Sequence, residues 1–105
     1  SMGCTEWIPE IAAKNLAEEL LSYKDQGYDI IGVETVEDSS SYLDYNWPMK
    51  GVVVLGNEEY GLSEKTMSAC TDYVHIPMRG RKNSVNVANA FAVIAFHILN
   101  VLEIQ

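Results

Sequence analysis

Cysteine, histidine and basic side chains are all scarce in this sequence, and each scarcity removes a class of function. Among 105 residues there are two cysteines, Cys4 and Cys70. They are far apart and form neither a CxxC pair nor a Cys/His knuckle. That argues against a disulfide framework and fits a chain kept in a reducing compartment, the cytoplasm. His75 and His97 have no Cys, Asp or His at ligand spacing, so a structural role is expected for both and no metal. No Ser-His-Asp or Cys-His arrangement is supported. Seven Lys+Arg stand against 15 Asp+Glu, for a net charge of -8. Such a chain is a poor electrostatic match for nucleic acid on its own. There is no signal-peptide pattern, no internal repeat and no GxGxxG phosphate cradle. The most apolar segment, Val85 to Leu102, is nearly long enough to span a bilayer. Asn86, Asn89, His97 and Asn100 interrupt it and no basic anchor follows, so it reads as a buried helix and no membrane is expected.

What is present is apolar sequence arranged in runs. The length allows one domain, and 48% hydrophobic residues are enough for a small core, which rules out a disordered chain. Ser1 to Pro9 reads as a loop, with Trp7 and Ile8 packing as a lid or edge. A helix is expected over about 12–26, with Ile11, Leu16, Leu20 and Leu21 as its apolar stripe and Gly27 as the left-handed residue that ends it. Tyr28 to Glu34 is rich in β-branched residues and reads as a strand. Thr35 to Lys50 is expected to be a loop, with a helical turn near 41–45. Gly51 to Leu55 is a continuous apolar run, hence a strand buried on both faces. Ser63 and Glu64 mark the start of a short helix that reaches about Cys70. Tyr73 to Ile76 is the next strand, stopped by Pro77. The last helix opens near Asn83 or Ser84 and runs to about Leu102. It is apolar almost all round, so one side is expected to face a partner subunit.

Two polar loops therefore follow two strand ends, and in an open α/β sheet such loops build a ligand crevice. In the first, Gly56 lets backbone approach a ligand closely, and Glu58 is an acid that needs a partner or solvent. The second exposes Met78 beside Arg79, Arg81 and Lys82, the one basic cluster of the chain and a candidate phosphate contact. Ser84 is explained by helix capping. Asn86 is explained less well, because an amide in the first turn of an apolar helix needs hydrogen-bond partners. Each feature also has a bland reading as turn, solvated loop or cap.

Taken together, LGNEEYGLS (Leu55 to Ser63) and IPMRGRKNSVNVANA (Ile76 to Ala90) resemble the second and third motifs of the SpoU branch of the SPOUT superfamily. GCTEWIPE and GYDIIGVE fit more weakly upstream, so the resemblance covers essentially the whole chain. These are S-adenosylmethionine-dependent enzymes that methylate ribose 2′-hydroxyls of tRNA or rRNA. The resemblance implies an α/β domain with a mostly parallel sheet and a deep trefoil knot, of which this chain is the C-terminal part, and a homodimer through the last helix. It implies cofactor contacts at Gly56, Ile76 and Val85, with Glu34 and Thr35 lining the cleft and Met78 closing over the adenine. Glu58, Ser84 and Asn86 match polar active-site positions, and Arg79, Arg81 and Lys82 are the expected RNA contacts. The family's first motif, with the Arg assigned to activating the ribose hydroxyl, has no counterpart in these residues. The resemblance therefore implies weak or absent methyl transfer by this chain alone. The alternatives are a non-catalytic cofactor-binding or dimerisation module of the same fold, or a different nucleotide-binding α/β domain.

Overall fold

Val52, Val53, Val54 and Leu55 are all buried, because the strand they form has neighbours on both edges and helices on both faces. In the computed structural model the described residues are 6–11, 16–56, 61–77 and 87–103. They form β1 (Glu6–Ile11), α1 (Leu16–Asp25), β2 (Asp29–Val33), β3 (Ser40–Ser41), β4 (Lys50–Leu55), α2 (Glu64–Ser68), β5 (Asp72–His75) and α3 (Val87–Glu103). The five strands make one sheet in the order β1-β4-β2-β5-β3. Every pairing in it is parallel, as the expected α/β class requires.

Side-chain alternation splits the core into two layers. Ile30, Val52 and Val54 face α1 and α2, where they pack with Leu16, Leu20, Leu62 and Ala69. Ile31, Val53, Leu55 and Val74 face α3, where they pack with Ala90, Ile94, Ile98 and Leu102. Those four α3 residues recur every fourth position, which is one stripe of a helix. The opposite side of α3 is not covered by the described residues: Phe96 is 69% exposed and Leu99 53%. No helix among the described residues is long and apolar enough to cross a membrane.

Several boundaries differ from the sequence reading, each for a physical reason. Residues 6–9 belong to a strand and not to a loop. Pro9 disguises it, since proline lacks the ladder N–H. An edge strand tolerates proline because one of its hydrogen-bonding sides is unpaired, and β1 is such an edge. Ile11 consequently ends β1 and does not join the α1 stripe. Leu21 is 49% exposed, so Leu16 and Leu20 alone carry the buried face of α1. The 35–50 segment holds the two-residue strand β3, which pairs with β5. It also holds the expected turn, where Asp44 and Tyr45 N–H groups donate to the Ser41 carbonyl.

Other local readings hold. Gly27 has φ +95° at the end of α1, a conformation that costs other residues a Cβ clash. Ser63 caps α2, its Oγ accepting from the Thr66 N–H at 3.2 Å. The Trp7 indole lies beside Gly51, where a Cβ would stand 2.6 Å from ring atom Cζ3. Its Nε1 donates to the Pro48 carbonyl at 3.1 Å.

Candidate functional site

Register brings the carboxyl ends of three neighbouring strands to one level. Val33 of β2 is paired with Leu55 of β4 on one side and with Val74 of β5 on the other. The next residues outward are Glu34, Gly56 and His75, followed by Thr35 and Ile76. The Glu34 N–H donates to the Val74 carbonyl at 2.9 Å, which carries the pairing one step past the strand. Four of the sequence candidates, Glu34, Thr35, Gly56 and Ile76, thus lie together at the edge where α/β sheets hold ligands. Glu34, Gly56 and Ile76 are half-buried, whereas Thr35 is exposed. Glu58, Met78, Arg79, Arg81, Lys82, Ser84, Val85 and Asn86 lie outside the described residues.

Gly56, just after β4, packs backbone on backbone against Gly61 and Leu62. A Cβ on Gly56 would stand 2.7 Å from the Gly61 carbonyl carbon and 2.9 Å from its Cα. Gly61 has φ +71°, in the left-handed region. A Cβ there would meet the Glu34 carboxylate, with Oε2 at 3.0 Å and Oε1 at 3.2 Å. Two glycines and one acid therefore interlock, and neither glycine could be alanine without displacing something. Beyond them Ser63 holds the start of α2, and its hydroxyl donates to Thr66 Oγ1 at 3.0 Å. Thr66 is itself 2% exposed, so the end of the loop is fixed to the core.

A second fastening holds the loop after β2. The Ser39 hydroxyl donates to the Val36 carbonyl at 2.8 Å, and His75 Nδ1 lies 2.8 Å from the same oxygen. With the Ser39 proton committed to Val36, Nδ1 is the donor of the second bond. The Tyr42 N–H then donates to the His75 carbonyl at 2.9 Å. His75 is a clasp between β5 and the 35–42 loop, the structural role expected of it. His97 packs edge-on against Tyr42 at 5.1 Å between ring centroids. Among the described residues no group of three His, Cys, Asp or Glu side chains could hold a metal.

Electrostatics around the edge disfavour a thiol nucleophile. Burial pushes the Cys70 thiol up to about 11, so it stays protonated at neutral pH. The Tyr73 phenol is also raised, by burial first and then by Cys70 and Glu34. Its hydroxyl donates to the Met67 carbonyl at 2.8 Å. Among the described residues, what the edge offers is close-packed backbone plus the Glu34 carboxylate, a setting for holding a ligand. Sequence reasoning missed Gly61 and the Ser39–His75 clasp. Gly61 was visible in principle, as a second glycine five residues after the first. The clasp was not, because it joins residues 36 apart.

Comparison with known proteins places the chain in a wider group. The family model for the SpoU rRNA Methylase family matches residues 1–96. A Staphylococcus saprophyticus protein assigned to the TrmH family of tRNA/rRNA methyltransferases is 34% identical over 98 residues, which is 93% of this chain and 39% of that protein. The SpoU methyltransferase AviRb of Streptomyces viridochromogenes, solved in complex with AdoMet, superposes with a TM-score of 0.72 at 22% identity. The match covers 90% of this chain and 38% of that one. An RNA 2′-O ribose methyltransferase structure superposes at 0.70 with 25% identity, over 85% of this chain and 33% of that one. The chain thus spans about two-fifths of the length of the curated relative it matches.

Proposed function

The chain belongs to the SpoU rRNA methylase family, and on that footing we propose that it is the cofactor-holding part of an AdoMet-dependent RNA ribose 2′-O-methyltransferase. The observation that carries this reading is the interlock of Gly56, Gly61 and Glu34 at three registered strand ends. AdoMet is a bulky, polar ligand held largely by backbone in such a cleft, and bare glycine backbone is what Gly56 and Gly61 present. The residues present fit the group. AviRb, which shares the fold, is solved with AdoMet bound.

When bound, the cofactor supplies an electrophilic methyl group on a sulfonium. The chain's own residues supply position. Gly56 and Ile76 contact the cofactor through backbone, joined by Val85, while Glu34 and Thr35 wall the cleft and Met78 covers the adenine. Glu58, Ser84 and Asn86 orient the acceptor ribose, whose hydroxyl loses its proton as it attacks. Arg79, Arg81 and Lys82 take the RNA phosphates, a small cationic lip on a chain of net charge -8. That charge makes further RNA contacts from a partner chain or the remainder of a longer protein part of the reading. The same reading includes a cytoplasmic location, a trefoil knot formed by the C-terminal segment, and a homodimer through the apolar outer face of α3. Exposed Phe91, Phe96 and Leu99 support the dimer, as does an adjoining apolar cleft of 280 Å³ between β1 and α3.

Calorimetric titration of the folded chain with AdoMet tests the reading. Saturable binding is expected. Absence of heat at high protein concentration, with a native circular-dichroism spectrum, contradicts it.

A further inference from the structure

We propose that the Glu34 carboxylate is the ribose-reading group of the cofactor cleft, accepting hydrogen bonds from the 2′- and 3′-hydroxyls of the cofactor's own adenosine. The inference rests on the AdoMet reading above and assigns one of its subsites.

The backbone of Glu34 is fixed by its bond to the Val74 carbonyl, so the direction of its side chain is fixed too. Gly32, two residues earlier, faces Leu62, Cys70 and Tyr73. Alternation turns Glu34 to the same face, where its two oxygens lie over Gly61. The contact depends on Gly61 having no side chain. Among the described residues no cation or hydrogen-bond donor engages this half-buried carboxylate, although its acceptor lone pairs need partners. Glu34 and Gly56 are the first residues beyond the registered pair Val33 and Leu55, so an acid and a glycine turn end adjacent parallel strands. In nucleotide-binding α/β sheets that juxtaposition places the acid on ribose hydroxyls while the glycine turn admits the rest of the ligand. A planar carboxylate with two acceptor oxygens matches a vicinal diol. The competing use of the same charge is attraction to the cofactor's sulfonium or ammonium, and the test separates the two.

The chain and its Glu34→Gln variant are titrated calorimetrically with AdoMet, S-adenosylhomocysteine and the 2′-deoxyribose form of S-adenosylhomocysteine. The variant is expected to weaken AdoMet and S-adenosylhomocysteine equally, by about tenfold or more, since a hydrogen bond to a charged group is lost. It is expected to change affinity for the deoxy form less, because only the bond from the 3′-hydroxyl remains to be lost. The unaltered chain alone is also expected to prefer S-adenosylhomocysteine over its deoxy form, a comparison that survives if the variant fails to fold. Unchanged affinity in the variant overturns the assignment, as does a loss confined to AdoMet or an unaltered chain indifferent to the 2′-hydroxyl. If the unaltered chain binds none of the three, the cofactor reading itself has failed and this subsite falls with it.

Discussion

Gly51 and Gly56 lie at opposite ends of β4, and alanine at each separates damage to the fold from damage to the site. Along a strand rising about 3.3 Å per residue they are about 16 Å apart. A Cβ at Gly56 meets three backbone atoms, Gly61 C at 2.7 Å, Gly61 Cα at 2.9 Å and Leu62 N at 3.0 Å. Ordinary contact begins near 3.4 Å, so the 61–62 backbone must retreat by about 0.7 Å. No side-chain rotation can relieve this. A Cβ at Gly51 meets the Trp7 indole and the Asp29 carbonyl, the latter at 3.0 Å, far from the cleft. Overpacking of either kind costs about 1–3 kcal/mol. For a domain of this size each kcal/mol lowers Tm by about 4–8 °C. Both variants are therefore expected to melt earlier by comparable amounts. Only Gly56→Ala is expected to lose AdoMet affinity, by about tenfold or more, because sub-ångström misplacement of a ligand-contacting backbone is costly. Scanning calorimetry and AdoMet titration on the same samples read both quantities. Equal loss of affinity in the two variants, or undiminished affinity in Gly56→Ala, would refute the assignment of this turn to the cofactor.

Other expectations follow from single contacts. Ser63→Ala removes the α2 cap and should cost about 1 kcal/mol, read as a drop in Tm by denaturation. Leu20→Ala, at a side chain with 0% exposure, should cost about 2–5 kcal/mol and leave little folded chain at moderate denaturant. The Cys70 thiol is held at about 11, above its ordinary 9.0, so the folded state keeps its proton more tightly than the unfolded one. Its contribution is complete below pH 9.0 and is lost as pH rises through about 11. Replacing Cys70 with Ala should therefore flatten that alkaline decline in a pH series of melts. Phe96→Glu, at an exposed apolar site on α3, should shift sedimentation toward monomer while leaving the monomer fold intact by circular dichroism.

Much of the fold was legible because it is encoded locally. The valine run of β4, the glycine after α1, the serine before α2 and the proline after β5 each carry their own conformational reason. β1 was hidden by Pro9, which reads as a strand breaker until the strand is known to be an edge. β3 was hidden by being two residues long, with a position fixed by its partner β5 and not by its composition. The strand order was illegible for a related reason. β4 separates β1 from β2, and β2 separates β4 from β5, so every neighbour is distant in sequence. The site shares that limit. Leu55 to Ser63 announced a glycine turn, yet the meeting of Glu34 with Gly61 exists only once β2 and β4 are neighbours. Trp47 shows the same in the core. It sits in an irregular stretch but is only 4% exposed, because its Nε1 donates to the Tyr42 carbonyl at 3.0 Å and its ring packs on Tyr45 and Trp7.

On this reading the cofactor sits at the joined ends of β2, β4 and β5. Amide chemical-shift mapping of the isotope-labelled chain during addition of AdoMet tests it most directly. Saturable shifts are expected at Glu34, Thr35, Gly56, Gly61 and Ile76, with Asp29, Gly51 and Asp72 at the opposite ends of the same strands unmoved. Shifts confined to those strand starts or to the Phe91, Phe96 and Leu99 face of α3, or no shifts at saturating cofactor, would contradict it.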